Sequence, residues 1–378
     1  MPVNRHFDEV HVPTSSSNES ATAPAEALRA LTEIGQSVWL DSLSRALVSS
    51  GELARLRDAG VAGLTSNPSI FHAAIAGSEE YDGALDALRR RGATPEEALE
   101  ALMVEDVQAA CDVLAPVHWR TAGVDGWVSL EVDPRLADDV TGTVAAARRL
   151  VREVARANLM VKVPATPAGM SAIEQLLAEG VSVNATLVFD VATADAVAEA
   201  HARAARRRVA GPPSSAPQSV VSVFVSRLDS LLDPRLPAAL RGRAGIANAR
   251  AALAAARRRR ATGDGDACAL ERQRLLWAST GVKDARPALA YVTALAAAET
   301  VTTLPPATLD ALLAADSTAI DGAAPPDDHA AVLGQLAAAG IDLHRATAKL
   351  QRDGVEQFRD AYLALLDDVA ARIWRRPA

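Results

Sequence analysis

Asn158-Leu-Met-Val-Lys-Val-Pro-Ala-Thr166 is an apolar, β-type run interrupted by one ammonium. It leads directly into Ser171–Ala178, where apolar residues recur with the 3.6-residue period of a helix. A strand followed at once by a helix is the unit of a parallel sheet, and the same alternation extends in both directions. The spacing predicts eight strands: Ser37–Leu40, Ala62–Thr65, Trp127–Val132, Asn158–Val163, Ser182–Leu187, Val220–Val225, Leu275–Ala278 and Thr300–Leu304. Helical sequence separates most of them, including Val191–Arg208 and the Ala- and Arg-rich Leu236–Arg260. The long piece Ser78–Val117 reads as several helices. An open, doubly wound sheet would carry a phosphate fingerprint after its first strand. None follows Leu40, and Gly263-Asp-Gly265 lacks the third glycine. The expected fold class is therefore α/β, a (β/α)8 TIM barrel with additional helices. Residues 1–25 read as a flexible arm, and residues 26–378 as a single catalytic domain. That domain has a helical insert at about 78–117 and C-terminal helices at about 331–374, formed by Ala331–Ala338 and Leu343–Trp374. Gly211–Ser219, Thr262–Ala269 and Asp316–Asp328 read as loops.

The composition narrows the function. The 378 residues are 49% hydrophobic, enough for a large core. The net charge of −8 argues against nucleic acid or an anionic membrane as the main partner. No run of 18 apolar residues and no signal-peptide core is visible, so the expected location is the cytoplasm. Cys111 and Cys268 form no CxxC pair and read as ordinary reduced thiols. The seven histidines form no HExxH or close cluster, so no metal is expected. GxSxG and P-loop motifs are also lacking. Arg257–Arg260 reads as a solvated helix end.

Of the 39 basic residues only Lys162, Lys283 and Lys349 are lysines. Where a genome favours Arg, a retained Lys marks a place Arg cannot serve, because a guanidinium cannot lose its proton and attack a carbonyl. In a TIM barrel the C-terminal strand ends form the active-site rim. Here they present Asp41, Asn67 (in Thr65-Ser66-Asn67-Pro68), Glu131, Lys162, Asn184 with Thr186, Ser222 followed by Arg227, Ser279 to Lys283, and Thr302-Thr303. Singly, each has a structural reading: Asp41 as a helix cap, Asn67-Pro68 as a turn, Glu131 as the partner of an arginine. Lys162 is harder to explain that way, since an ammonium between Val161 and Val163 needs a partner or a lowered pKa. Polar residues pointing inward from five strands make a pocket suited to amine catalysis. In such a pocket Lys162 attacks a ketone and the iminium accepts electrons as a C–C bond breaks. Asp41 and Glu131 supply general base and acid, Asn67 and Asn184 hold hydroxyls, and Ser279, Lys283 and Arg227 bind an anion.

Seven segments, in order, resemble the transaldolase family over nearly the whole chain from Gly35. They are Val38-Trp-Leu-Asp41, Gly63-Leu-Thr-Ser-Asn-Pro-Ser-Ile-Phe71, Val128-Ser-Leu-Glu-Val-Asp-Pro-Arg-Leu136, Asn158–Thr166, Val183-Asn-Ala-Thr-Leu-Val-Phe189, Phe224-Val-Ser-Arg227 and Trp277-Ala-Ser-Thr-Gly-Val-Lys283. The insert and overall length resemble its longer bacterial subfamily. The resemblance implies a Schiff base between Lys162 and C2 of a ketose phosphate, such as sedoheptulose 7-phosphate or fructose 6-phosphate. Asp41 would take the C4 hydroxyl proton, and Asn67, Asn184 and Ser222 would hold the dihydroxyacetone unit. Glu131 and Thr186 would position a water, and Arg227, Ser279 and Lys283 would bind phosphate. The three-carbon unit would pass to glyceraldehyde 3-phosphate or erythrose 4-phosphate. No cofactor is implied, small sugar phosphates are the expected partners, and the expected assembly is a monomer or homodimer.

The related fructose 6-phosphate aldolases carry Gln at the position of Glu131 and Tyr at that of Phe224, so both residues resemble the transferase type. The sequence departs from the family at Ser42, Trp127 and Thr302-Thr303-Leu304, and in short loops. These departures predict an altered acceptor rim and leave a diverged paralogue on an unusual biosynthetic sugar as an alternative. An aldolase-like lyase and a non-catalytic sugar-phosphate binding protein are the others.

Overall fold

The structure is a computed structural model, and it describes residues 25–208, 216–262, 273–320 and 328–374. The strands are β1 (Gln36–Asp41), β2 (Gly63–Thr65), β3 (Trp127–Glu131), β4 (Leu159–Pro164), β5 (Val183–Val188), β6 (Ser219–Phe224), β7 (Gln273–Ala278) and β8 (Thr300–Leu304). Each begins and ends within two residues of its predicted bounds. They are all parallel and close into a barrel in sequence order, with β8 pairing β1. The TIM barrel expected from the alternation is thus the observed fold.

Side-chain alternation along the strands separates two cores. Val38, Leu40, Leu64, Val128, Leu130, Val161, Val163, Val221, Val223 and Trp277 face the surrounding helices and pack in one large apolar cluster. Their sequence neighbours Trp39, Trp127, Met160, Val220, Leu276 and Val301 point inward and form a second cluster. At the N-terminal end of the barrel Trp39 Nε1 donates to Asp125 Oδ1 at 3.2 Å. Arg274 pairs with the same carboxylate at 3.0 Å and donates to Ser37 Oγ at 2.8 Å. This end is closed and serves stability; the inward residues become polar only toward the C-terminal ends. Gly63 makes room for the Trp39 ring, since a Cβ there would lie 2.6 Å from the indole.

Some expectations hold and some are corrected. Leu236–Arg260 is helical only in part. Short turns at Asp233–Arg235 and Ala238–Leu240 precede the helix Ala244–Thr262, because Pro237 lacks a donor and Gly242 adopts φ +71°. As expected, Ser78–Val117 holds more than one helix: a short turn at Glu79–Tyr81 precedes helices Asp82–Arg90 and Pro95–Arg120, the last opened by a Thr94/Glu97 capping box. The run Arg257–Arg260 is only partly solvated: Arg259 faces Asp195 and Glu199, and Arg260 pairs with Glu299 at 2.5 Å. Cys111 is a buried free thiol. The arm before residue 25, loop residues 211–215, 263–269 and 321–327, and Cys268 lie outside the described residues.

The C-terminal helix Leu343–Ile373 crosses the open end of the barrel. Gln351 Nε2 donates to the Ala165 carbonyl at 2.9 Å, just past β4, and Thr347 Oγ1 to Asp190 at 2.9 Å. Further along, Arg372 donates to the carbonyls of Ile75 and Ser78, both at 2.7 Å. Gly354 permits the close approach, since a Cβ there would stand 2.9 Å from Leu187 Cδ2.

Gly63→Ala forces a methyl group into the indole of Trp39 and is expected to cost about 1–3 kcal/mol of stability. Urea denaturation checks this, and an unchanged midpoint would show that the barrel end is loosely packed.

Candidate active site

Glu131 and Lys162 are cross-strand neighbours on β3 and β4, and Lys162 is in turn in register with Asn184 on β5. Strand pairing alone therefore lines up a carboxylate, an amine and an amide on the inner wall. Lys162 Nζ donates to the Ser66 carbonyl at 3.0 Å and lies 3.5 Å from Glu131 Oε2. At that distance the contact is an ion pair rather than a well-formed hydrogen bond. Both residues are almost completely buried. Neither Glu131 oxygen has a hydrogen-bond partner, and the same holds for the fully buried Thr186 hydroxyl. Burial pushes the Glu131 carboxyl up to about 7, Lys162 and Arg227 oppose the shift, and Asp41 adds to it.

A cleft of about 190 Å³ opens above this pair, and its walls include Asp41, Asn67, Lys162, Ser222, Phe224, Arg227, Ser279 and Lys283. Asp41, at the end of β1, accepts from Thr65 Oγ1 at 2.6 Å, and that hydroxyl lies 2.7 Å from Thr303 Oγ1. Asp41 caps no helix; Ser44 caps the next one by accepting from the Leu47 amide. Asn67 does cap the helix Pro68–Ile75 through Oδ1, at 3.0 Å from the Ile70 amide. Its amide group remains available to the cleft, so here the structural and functional readings coexist. Asn184 does not line the cleft; it lies deeper in the barrel, fully buried, donating to Ser129 Oγ at 3.1 Å and accepting from Ser222 Oγ at 2.7 Å.

The opposite side of the cleft is cationic. Among the described residues neither Arg227 nor Lys283 has a carboxylate within salt-bridge distance. Burial and the neighbouring Arg227 together hold Lys283 below the usual lysine range. Ser279 joins them with φ +54°, a strained value for a residue with a side chain, and its hydroxyl lies 2.8 Å from Ser226 Oγ. Two cations without a salt-bridge partner and a serine hydroxyl on one side of a cleft have the chemistry to receive an anion.

Sequence reasoning missed part of the wall. Phe358, on the C-terminal helix, places its ring centroid 5.7 Å from Lys162 Nζ and 5.8 Å from the Arg227 guanidinium carbon. On a helix far along the chain it carried no local signal. Thr65 and Thr303 are legible as strand ends but carry no further signal in the sequence, and Ser226 is legible as the neighbour of Arg227. Two departures counted as rim residues are elsewhere. Trp127 lies inside the barrel at the start of β3, edge-on to His118 with centroids 4.6 Å apart, and donates to the Gly123 carbonyl. Thr302 alternates out of phase with Thr303, away from the cleft, and its buried hydroxyl has no partner. Of the substituted single positions only Ser42 remains next to the site. Among the described residues no group of three or more His, Cys, Asp or Glu is arranged to hold a metal, and no helix is long and apolar enough to cross a membrane.

The sequence pattern of the family described as transaldolase/fructose-6-phosphate aldolase matches residues 38–369. A transaldolase of Neisseria gonorrhoeae is 45% identical over 341 residues, 88% of this chain and 96% of that protein. Transaldolase 1 of Streptomyces coelicolor is 44% identical over 92% of this chain and 94% of its own length. A transaldolase of Thiobacillus denitrificans is also 44% identical, over 90% and 98%.

The raised Glu131 pKa has a testable sign. Ionising this carboxyl costs more in the folded chain than in the unfolded one, so its contribution to stability is present at low pH. It is lost as pH rises from about 4.5 through about 7. Wild type should therefore lose stability relative to Glu131→Gln across that window in urea titrations. A pH-independent difference would mean that Glu131 is ionised throughout.

Proposed function

We propose, from the premise that the chain belongs to the transaldolase/fructose-6-phosphate aldolase family, that Lys162 forms a Schiff base with a ketose phosphate and carries a dihydroxyacetone unit between two aldoses. The protein is an enzyme, a transferase of the transaldolase type. The observation that carries the proposed mechanism is the placing of Lys162: a buried amine 3.5 Å from Glu131, opening into the same cleft as Asp41.

The amine adds to the C2 carbonyl of the donor, sedoheptulose 7-phosphate or fructose 6-phosphate, giving a carbinolamine. Loss of the hydroxyl as water leaves an iminium. Glu131, whose proton affinity is raised by burial, takes the ammonium proton and returns it to the departing hydroxyl. The partnerless Glu131 and Thr186 oxygens are where that water is held, since buried polar atoms otherwise go unsatisfied. Asp41 accepts the C4 hydroxyl proton, the C3–C4 bond breaks, and its electron pair moves into the iminium to give an enamine while the aldose phosphate leaves. Attack of enamine C3 on glyceraldehyde 3-phosphate or erythrose 4-phosphate, with the proton returned from Asp41, reverses the sequence. Hydrolysis then frees Lys162.

Asn67 and Ser222, the latter bonded to Asn184, hold the three-carbon unit, and Arg227, Ser279 and Lys283 hold the phosphate. The steps need no cofactor. Phe224 has no hydroxyl with which to protonate the enamine, which supports transfer over release. With Trp127 and Thr302 away from the cleft, most of the ground for an unusual acceptor is gone, and the sugars of the pentose phosphate pathway are the substrates proposed, in the cytoplasm.

Borohydride reduction in the presence of fructose 6-phosphate should fix a three-carbon adduct on the Lys162 peptide, read by mass spectrometry, and Lys162→Arg should abolish it. That variant should lose about 10⁴-fold in kcat. Wild type without an adduct would end the Schiff-base reading. Phe224→Tyr should increase release of free dihydroxyacetone about tenfold; rapid release by wild type without an acceptor would favour a lyase.

A further inference from the structure

Lys283 stands on a thin wall. It lines the 190 Å³ cleft and also a neighbouring cavity of about 460 Å³, bounded by Ser226, Arg241, Asp284, Arg286 and Tyr291 among others. A segment between two cavities has little core to pack against, so polar ties set its position. Those ties converge on Arg286, three residues after Lys283. Its Nη1 donates to the Gly242 carbonyl at 3.0 Å and lies 3.4 Å from Asp229 Oδ2, while Nη2 donates to Tyr291 Oη at 2.8 Å. Its Nε and backbone amide both bond the Asp284 carboxylate, at 2.9 and 3.0 Å.

Asp229 is 1% exposed and completes the clasp, accepting from Tyr291 Oη and from the Gly245 amide, both at 2.7 Å. It shares the short helix Ser226–Leu232 with Arg227. Gly242 is required where it is: a Cβ there would collide with the Arg286 guanidinium, and its φ is +71°. Arg227 and Lys283 repel one another on the same side of the cleft, and among the described residues neither forms a salt bridge. The Asp229–Arg286–Tyr291 clasp joins the two segments that carry them.

We infer that Arg286 is a positioning residue of the anion site, holding Lys283 against Arg227 so that the pair grips a phosphate. The inference rests on the proposed role of Arg227, Ser279 and Lys283. It predicts a specific split, because the clasp touches neither Lys162 nor Asp41. In full-length enzyme, Arg286→Met should raise KM for fructose 6-phosphate and the inhibition constant of inorganic phosphate about tenfold each, with kcat changed less than about twofold. Borohydride trapping with unphosphorylated dihydroxyacetone should stay at the wild-type level. Tyr291→Phe removes one hydroxyl and should raise the same two constants about threefold; it decides the matter if Arg286→Met does not fold. Unchanged phosphate affinity overturns the inference. So does a fall in kcat and trapping in step with KM, which marks general loosening. Failure of wild type to trap dihydroxyacetone would instead remove the Schiff-base reading on which the role depends.

Discussion

The site depends on burying an amine and a carboxylate side by side on adjacent strands. Lys162 and Glu131 are 3.5 Å apart and nearly without solvent, yet Glu131 receives no hydrogen bond. Such a pair adds little to stability, because the cost of removing two charges from water rivals their attraction. What it does provide is a carboxyl pushed up to about 7 beside a buried amine. The barrel makes this tolerable by surrounding the pair with close-packed strands, and the closed Trp39–Asp125–Arg274 end supplies rigidity on the far side.

The interior is thereby divided. Carboxylates stand on β1 and β3 around the β4 amine, and cations without a salt bridge stand on the segments after β6 and β7. Under the proposed function a phosphorylated sugar lying across the cleft would meet both halves at once, its carbonyl at Lys162 and its phosphate at the cations. Phe224 and Phe358 stand between the halves; the Arg227 guanidinium carbon is 5.1 and 5.8 Å from their ring centroids. The left-handed backbone at Ser279 and Leu187 occurs beside this site, where strain is held by surrounding bonds such as that from the Ser226 amide to the Ser279 carbonyl.

Much of this was legible in the sequence because it is written locally. The barrel follows from period and alternation, and the carboxylates, amides and Lys162 follow from asking which residues fall at strand ends. What failed to show is what depends on phase or on distant packing. Thr302 and Thr303 are adjacent, but only Thr303 faces the cleft. Trp127 belongs to the first residue of its strand and so to the stable end of the barrel. The Leu236–Arg260 stretch looked helical from composition, yet Pro237 and Gly242 break it, and that break admits Arg286. Phe358 required knowing that Gly354 lets a helix cross the barrel mouth.

The lysine count takes on a clearer meaning in this light. Lys349 forms an exposed ion pair with Asp353, a role Arg fills equally well. The other two lysines line the cleft and differ in why Arg would fail there. At position 162 the proposed Schiff base requires the proton to leave, which a guanidinium does not permit. At position 283 the amine sits on a thin wall facing Arg227. A compact point charge on a flexible stem fits beside a fixed guanidinium, whereas a second planar fork would need its own set of acceptors. Composition raises the question, and the geometry separates the two cases: Lys162 lies beside a carboxylate and Lys283 beside a guanidinium.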